Sequence, residues 1–321
     1  HSLVLSQETA KEAFTSCIGH SIRESMYPII EDIKVFLTYP QTMRSIMICG
    51  PHKSGKHHLL RCIMQYLKID TEQLLHIDCA AIALGKLTIS DIMQRIDTSL
   101  DQEKSNIILF ENLDALTELP ASITTMETLL RFYQRMAESN ELNLLFLAVT
   151  AMNEHFLQLQ KLFQKVYELP DLNSRTLKEK YEFVLHFMQN EADAIGKTIS
   201  LSSSILNCFA TACYPGNLQT LKQELRHALS YAYIQSSQQQ ETFITIDYQH
   251  LSDELLASIR NVSDILPIIE SITSTLQEKN HFLIPETECI PLQKLLHSCI
   301  QEDGILQAFT HREPRLSEYC K

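Results

Sequence analysis

The sequence predicts an α/β fold: a doubly wound parallel sheet of five strands around a phosphate loop, then a C-terminal helical lid and a further mostly helical segment. Three observations predict it. The stretch Ile46-Met47-Ile48-Cys49-Gly50-Pro51-His52-Lys53-Ser54-Gly55-Lys56-His57 is an apolar run, a loop with glycine at both ends, and then lysine. That order reads as strand, phosphate loop and helix. Four more short apolar runs follow, mostly separated by helical patterns, and strands alternating with helices make a parallel sheet. From Asp171 to about Gln239 the pattern is helical only.

Taken in order, residues 1–15 read as a lead-in helix. After Cys17-Ile18-Gly19-His20-Ser21-Ile22, the residues Ile29, Ile30, Ile33, Phe36 and Leu37 recur at helical spacing until Tyr39-Pro40 ends the helix. The phosphate-loop strand comes next, then a second strand over Leu74–Cys79 and a helix from Thr88 to Leu100. Asn106-Ile107-Ile108-Leu109-Phe110-Glu111-Asn112 has four apolar residues before an acid. This is the pattern of a buried parallel strand with its polar end at the C-terminal edge of the sheet. A helix about Met126–Ser139 leads to the fourth strand, Leu144–Thr150, and Val166–Pro170 is the fifth. Lid helices are expected over Leu177–Glu191, Ser202–Cys213 and Leu218–Ser236, with Tyr214-Pro215-Gly216-Asn217 as the break and Ser236–Glu241 as a polar loop. The resulting organisation is a lead-in over 1–15, an α/β nucleotide-binding unit over 16–172, a helical lid over 173–250, and a linker with the start of a helical module over 251–321. There are no internal repeats.

The chemistry follows from the loop. In G-x-x-x-x-G-K spacing, the backbone of Gly50, Pro51, His52, Lys53, Ser54 and Gly55 wraps a phosphate and Lys56 reaches the outer phosphates. The helix starting at His57 and His58 aims its N-terminus at the anion. Only seven glycines occur in the chain, and two stand where this loop needs them. One position departs: a Ser or Thr hydroxyl should ligate Mg²⁺ where His57 stands, and imidazole suits a hard cation poorly. Glu111 stands where a Mg²⁺-holding acid belongs, and Asn112 where a water-activating glutamate belongs. Asn cannot accept a proton from water, so slow or absent hydrolysis is expected. The bland reading makes Glu111 the solvated end of a core strand. Thr150 has two readings, a contact to a γ-phosphate or to water, or a strand-end hydroxyl capping a loop. His52, His57 and His58 suggest a metal cluster, but adjacent helical residues face different ways, so ordinary histidines are preferred. The cysteines read as small core residues.

Composition excludes several classes. The 321 residues are 45% hydrophobic and 21% charged, values of an ordinary globular protein, and no apolar run reaches spanning length. Nine irregularly spaced cysteines fit reduced thiols, and with no signal peptide in view a cytoplasmic location is expected. A net charge of −12 argues against this segment gripping DNA by itself. The chain starts at His1, and a longer natural chain is expected.

The phosphate loop, the Glu111 strand, Thr150 and the helical lid together resemble an AAA+ ATPase domain. Tyr214-Pro215-Gly216-Asn217-Leu218-Gln219-Thr220-Leu221-Lys222 is similar to the lid motif of sigma-54-dependent transcriptional regulators. The Ile18-Gly19 to Tyr39-Pro40 lead-in, Asp78-Cys79-Ala80, and Glu168-Leu169-Pro170-Asp171-Leu172 with Arg175, Leu177 and Glu179 narrow the resemblance to the PRD-containing levanase-regulator (LevR) type. It covers residues 16–260. It implies ATP or ADP as ligand, with Mg²⁺ doubtful. It also implies partners among other subunits of the same regulator, a sigma factor of RNA polymerase or sugar-phosphotransferase proteins, and DNA only through a domain outside this chain. No membrane partner is implied.

Three departures mark a degenerate member. No G-A-F-T-G-A loop lies between Cys79 and Asn106, the family's finger residues fall on Gln164 and Lys165, and its lid arginine falls on Gln219, with Lys222 one turn on. An arginine finger alone is worth about three to five decades in rate. The resemblance therefore implies a nucleotide-binding module with little hydrolysis. The alternatives are an active ATPase remodelling a partner, or a replication initiator or loader. His281, His297 and His311 are the candidates for phosphoryl acceptance in the last segment.

Overall fold

The computed structural model describes residues 13–39, 43–69, 74–100, 106–118, 120–140, 143–152, 156–239, 243–259 and 281–284. Residues 1–12 of the lead-in helix expected over 1–15, and His297 and His311, lie outside these residues, and residues 13–15 form a turn. The chain divides into two compact units, His1–Asp171 and Leu172–Lys321.

The first unit is a five-stranded sheet in the order β2-β3-β4-β1-β5. Its strands are β1 (Met43–Cys49), β2 (Leu74–Asp78), β3 (Asn106–Glu111), β4 (Leu144–Val149) and β5 (Lys165–Glu168). Every pairing is parallel. Hydrophobicity is continuous over Ile46–Cys49, Ile107–Phe110 and Leu144–Val149 because both sheet faces are covered. On one face Met47, Cys49, Ile108, Phe110, Phe146 and Ala148 pack with Ile92, Ile96, Met126 and Tyr133 from the helices Ile89–Ser99 and Pro120–Asn140. On the other, Ile46, Ile48, Leu109, Leu147 and Tyr167 pack with Ile30, Ile33, Leu59 and Ile63 from the helices Tyr27–Thr38 and Lys56–Tyr66. Each such buried side chain contributes about 1.5–3 kcal/mol.

Register then fixes the edge that matters. Asp78 pairs with Glu111, Glu111 with Val149, and Ile48 with Val149. The ends of β2, β3 and β4 are therefore level with the end of β1, and the turns after them share one rim with the phosphate loop. This is where ligands bind in open parallel sheets.

The second unit contains the helices Leu177–Ile195, Ser203–Thr211 and Asn217–Gln239. Thr176 and Glu179 form a reciprocal capping box at the first of these, and Gly196, with φ of 68°, ends it in the left-handed conformation. Two asparagines hold the segment before it to the turn before the long helix. Asn217 Oδ1 accepts from the Leu172 amide (2.8 Å), and Asn173 bonds both the amide (2.9 Å) and the carbonyl (3.1 Å) of Tyr214.

Two local expectations are corrected here. The stretch expected to be helical only holds a strand, β6 (Thr198–Ser202), paired with β7 (Phe243–Ile246) and antiparallel to β8 (His281–Ile284). Thr198-Ile199-Ser200-Leu201-Ser202 alternates polar and apolar, and Ile199 and Leu201 are fully buried, so the period is two rather than 3.6. The expected polar loop at Ser236 is helical through Gln239, because Ser236 is buried and its hydroxyl bonds the Tyr233 carbonyl. Among the described residues, no helix is long and apolar enough to cross a membrane.

Candidate functional site: the phosphate loop and the sheet rim

The loop from Gly50 to Gly55 leaves β1 through three left-handed residues: Gly50 (φ 141°), Lys53 (φ 57°) and Gly55 (φ 102°). At Gly50 a side chain is excluded twice over, since an added Cβ would sit 2.9 Å from the Leu169 carbonyl oxygen. Leu169 is held there by its own amide, which donates to the Cys49 carbonyl at 2.8 Å. Gly55 caps the Lys56–Tyr66 helix. The Lys56 and His57 amides at that N-terminus have no acceptor within the helix.

Lys56 is buried and donates from Nζ to the carbonyls of Gly50 (2.9 Å) and Pro51 (2.7 Å). Burial lowers its pKa, and the nearby Asp114 carboxylate opposes that shift. Ser54 is buried, and its Oγ has no hydrogen-bond partner. A buried hydroxyl left unpaired costs about 1–3 kcal/mol. The ring of backbone therefore holds an ammonium and an unsatisfied hydroxyl, a donor set that suits an anionic oxygen. His52 and Lys53 are exposed on the loop.

At the end of β3, the Glu111 carboxylate lies between two imidazoles. His57 Nε2 is 3.2 Å from one oxygen, and His76 Nε2, from β2, is 2.8 Å from the other. Asn112 takes a left-handed φ of 53° and donates from Nδ2 to Asp78 Oδ1 at 2.9 Å. Thr150 is buried and donates to Asp114 Oδ1 (3.1 Å) and to the Ala151 carbonyl (3.0 Å). The Ala151 amide also donates to Asp114 Oδ1 (3.1 Å).

The first unit thus brings Gly50 to His57, Glu111, Asn112 and Thr150 to one rim. His58 turns elsewhere: its Nε2 lies 3.0 Å from the Ser16 carbonyl oxygen. Lys222 belongs to the second unit, with Nζ 5.7 Å from the centre of the Phe187 ring. Lys165, a finger position by resemblance, is paired with Asp32 at 2.8 Å, and Tyr167 donates to the same carboxylate. Gln164 Oε1 accepts from the Ser45 amide at 3.1 Å. Sequence reasoning passed over His76, Asp78 and Asp114. The available signals were strand-end position for Asp78 and an acid within one turn of Glu111 for Asp114.

Compared with models of known protein families, the chain matches none. It is similar to the transcriptional regulatory protein LevR of Bacillus subtilis (strain 168), with 22% identity over 281 residues, covering 78% of this chain and 30% of LevR. The chain spans under a third of that relative's length. Among solved structures it resembles NtrX from Brucella abortus in complex with ATP. The TM-score is 0.50 at 16% identity, covering 83% of this chain and 62% of that one. The NtrX complex with ADP gives a TM-score of 0.50 at 13% identity, covering 96% and 69%. These likenesses are of fold: in this chain, an α/β sheet of five parallel strands with helices on both faces.

Proposed function

We propose that this chain is the nucleotide-binding AAA+ module of a transcriptional regulator, that it takes ATP or ADP, and that it hydrolyses ATP weakly or not at all. The observation that carries the reading is the loop itself: two glycines at left-handed φ, a buried Lys56 and an unpartnered Ser54 hydroxyl in one turn between β1 and the Lys56–Tyr66 helix. In this reading Lys56 and the amides of residues 52–57 bind the phosphates. The similarity to LevR supports the regulatory class, and sugar-phosphotransferase-linked operons are its narrower form. Other subunits, a sigma factor or phosphotransferase proteins are then the partners, with any DNA contact made by another domain.

Weak hydrolysis is supported by what occupies the rim. Both Glu111 oxygens face imidazoles, and His57 offers no hydroxyl. These residues fit a hard, oxygen-preferring cation poorly. Asn112 is no base, and its amide is committed to Asp78. One observation favours a second reading, an active ATPase remodelling a protein or replication partner: Asp114 places a carboxylate near Lys56 and against Thr150.

Titration with a fluorescent ATP analogue, alongside phosphate release with Mg²⁺, tests the proposal. Binding is expected, with Lys56→Ala weakening it at least about tenfold, the cost of one charge-assisted contact. Turnover of about one per second or faster, ordinary for an enzyme, supports the second reading instead. Absence of binding removes both.

A further inference from the structure

On the far side of the phosphate-loop helix from the nucleotide rim, three soft ligands converge. Cys62 and His58 stand one turn apart on the Lys56–Tyr66 helix, at i and i+4, and so share a face. Cys17 arrives from the segment before the Tyr27–Thr38 helix. Its Sγ lies 3.4 Å from Cys62 Sγ, and Ser16 Oγ is 3.4 Å from the same sulfur. One ligand atom from each of Cys17, His58 and Cys62 lies within 4.8 Å of the others. Both cysteines are buried and His58 is half-buried.

We propose that Cys17, His58 and Cys62 form a binding site for a soft divalent cation, zinc by chemistry, which fastens the segment at Ser16–Cys17 to the helix that carries the phosphate loop. Two thiolates and an imidazole are a ligand set for zinc, with a fourth tetrahedral position left for Ser16 Oγ or water. Tetrahedral bonds of about 2.3 Å separate two sulfurs by roughly 3.8 Å, so the pair at 3.4 Å needs only a few tenths of an ångström of opening. The histidine is already oriented for the task. Its Nε2–H donates to the Ser16 carbonyl at 3.0 Å, which leaves Nδ1 with the lone pair of the neutral ring. A backbone carbonyl behind a ligating imidazole is the usual way its tautomer is fixed. Loading releases the thiol protons to solvent and changes no oxidation state. The site stands apart from the nucleotide reading and does not depend on it.

Zinc and cobalt titrations of the reduced, full chain test the proposal. One ion per chain is expected, with cobalt giving the ultraviolet sulfur-to-metal band of a two-thiolate site and the visible bands of tetrahedral coordination. Zinc is expected to raise the thermal midpoint by several degrees, because it binds the folded chain preferentially. Cys17→Ser and Cys62→Ser should each halve the thiolate band or abolish uptake. His58→Gln should weaken zinc by more than about tenfold, the least expected when even an outer partner of a metal site is removed. Cys208→Ser, in the second unit, should change nothing. Failure of the reduced wild-type chain to take up either ion overturns the proposal, whatever the variants do. So does a thiolate band of undiminished intensity in the folded Cys17→Ser and Cys62→Ser variants. Nucleotide binding is read separately with the ATP analogue.

Discussion

At the scale of residues, the phosphate loop is decided by backbone conformation before any side chain acts. Gly50 has a φ of 141° and lies against the Leu169 carbonyl, so Gly50→Ala meets both a torsional and a steric barrier. A loss of about 1–3 kcal/mol is expected in urea unfolding, with nucleotide binding lost at the same time. The positions that depart from the expected phosphate-loop pattern lie on the rim. His57→Thr removes one imidazole from Glu111 and restores a hydroxyl, and Asn112→Glu supplies a base. The double variant is expected to gain Mg²⁺-dependent phosphate release at least about a hundredfold, the low end of what general-base catalysis contributes. An unchanged rate would show that these two residues do not account for the weak hydrolysis proposed. Neither Glu111 nor Asn112 needed tertiary information to be singled out, because strand-end position is written in the sequence. Their partners His76 and Asp78 come from a strand about 35 residues away, which only sheet register brings alongside.

Elements are joined by a few polar fasteners over two apolar faces. The clearest ties the Tyr27–Thr38 helix to the edge strand β5: Asp32 accepts from Lys165 (2.8 Å) and from Tyr167 (2.8 Å). The Lys165 hydrogen bond, first, holds the Asp32 carboxyl below its ordinary 3.8. An acid depressed in the folded state adds stability above its unfolded pKa and loses it as pH falls through the folded value. The contribution should therefore be present at pH 5 and above and fade below about pH 4. Asp32→Asn should flatten that part of the acid limb in urea midpoints measured against pH, with a small amplitude because both partners are exposed. The five strands of the first sheet were legible because each is a short local run bounded by breakers. Strand β6 was less so: its five residues are held by β7 and β8, more than 40 residues and more than 75 residues further on.

At the scale of the whole molecule, charge and covering decide what the chain can do. A net charge of −12 on 321 residues disfavours the counterion release on which DNA binding depends. The chain alone is expected to leave the gel mobility of duplex DNA unchanged at physiological salt. A salt-sensitive shift would place a DNA-binding surface within it. Both faces of the five-stranded sheet are buried under helices, which leaves the C-terminal rim as the open working edge of the first unit.

The sequence by itself determined the parallel sheet, the phosphate loop and the positions of Lys56, His57, Glu111, Asn112 and Thr150. These follow from local periodicity, glycine placement and strand-end polarity, all of which act over a few residues. Only the tertiary structure decided that Glu111 lies between two histidines, that Asp114 stands at Thr150, and that Cys17 meets His58 and Cys62. Those contacts join residues about 35 to 55 positions apart, and no local rule carries the register and packing that bring them together.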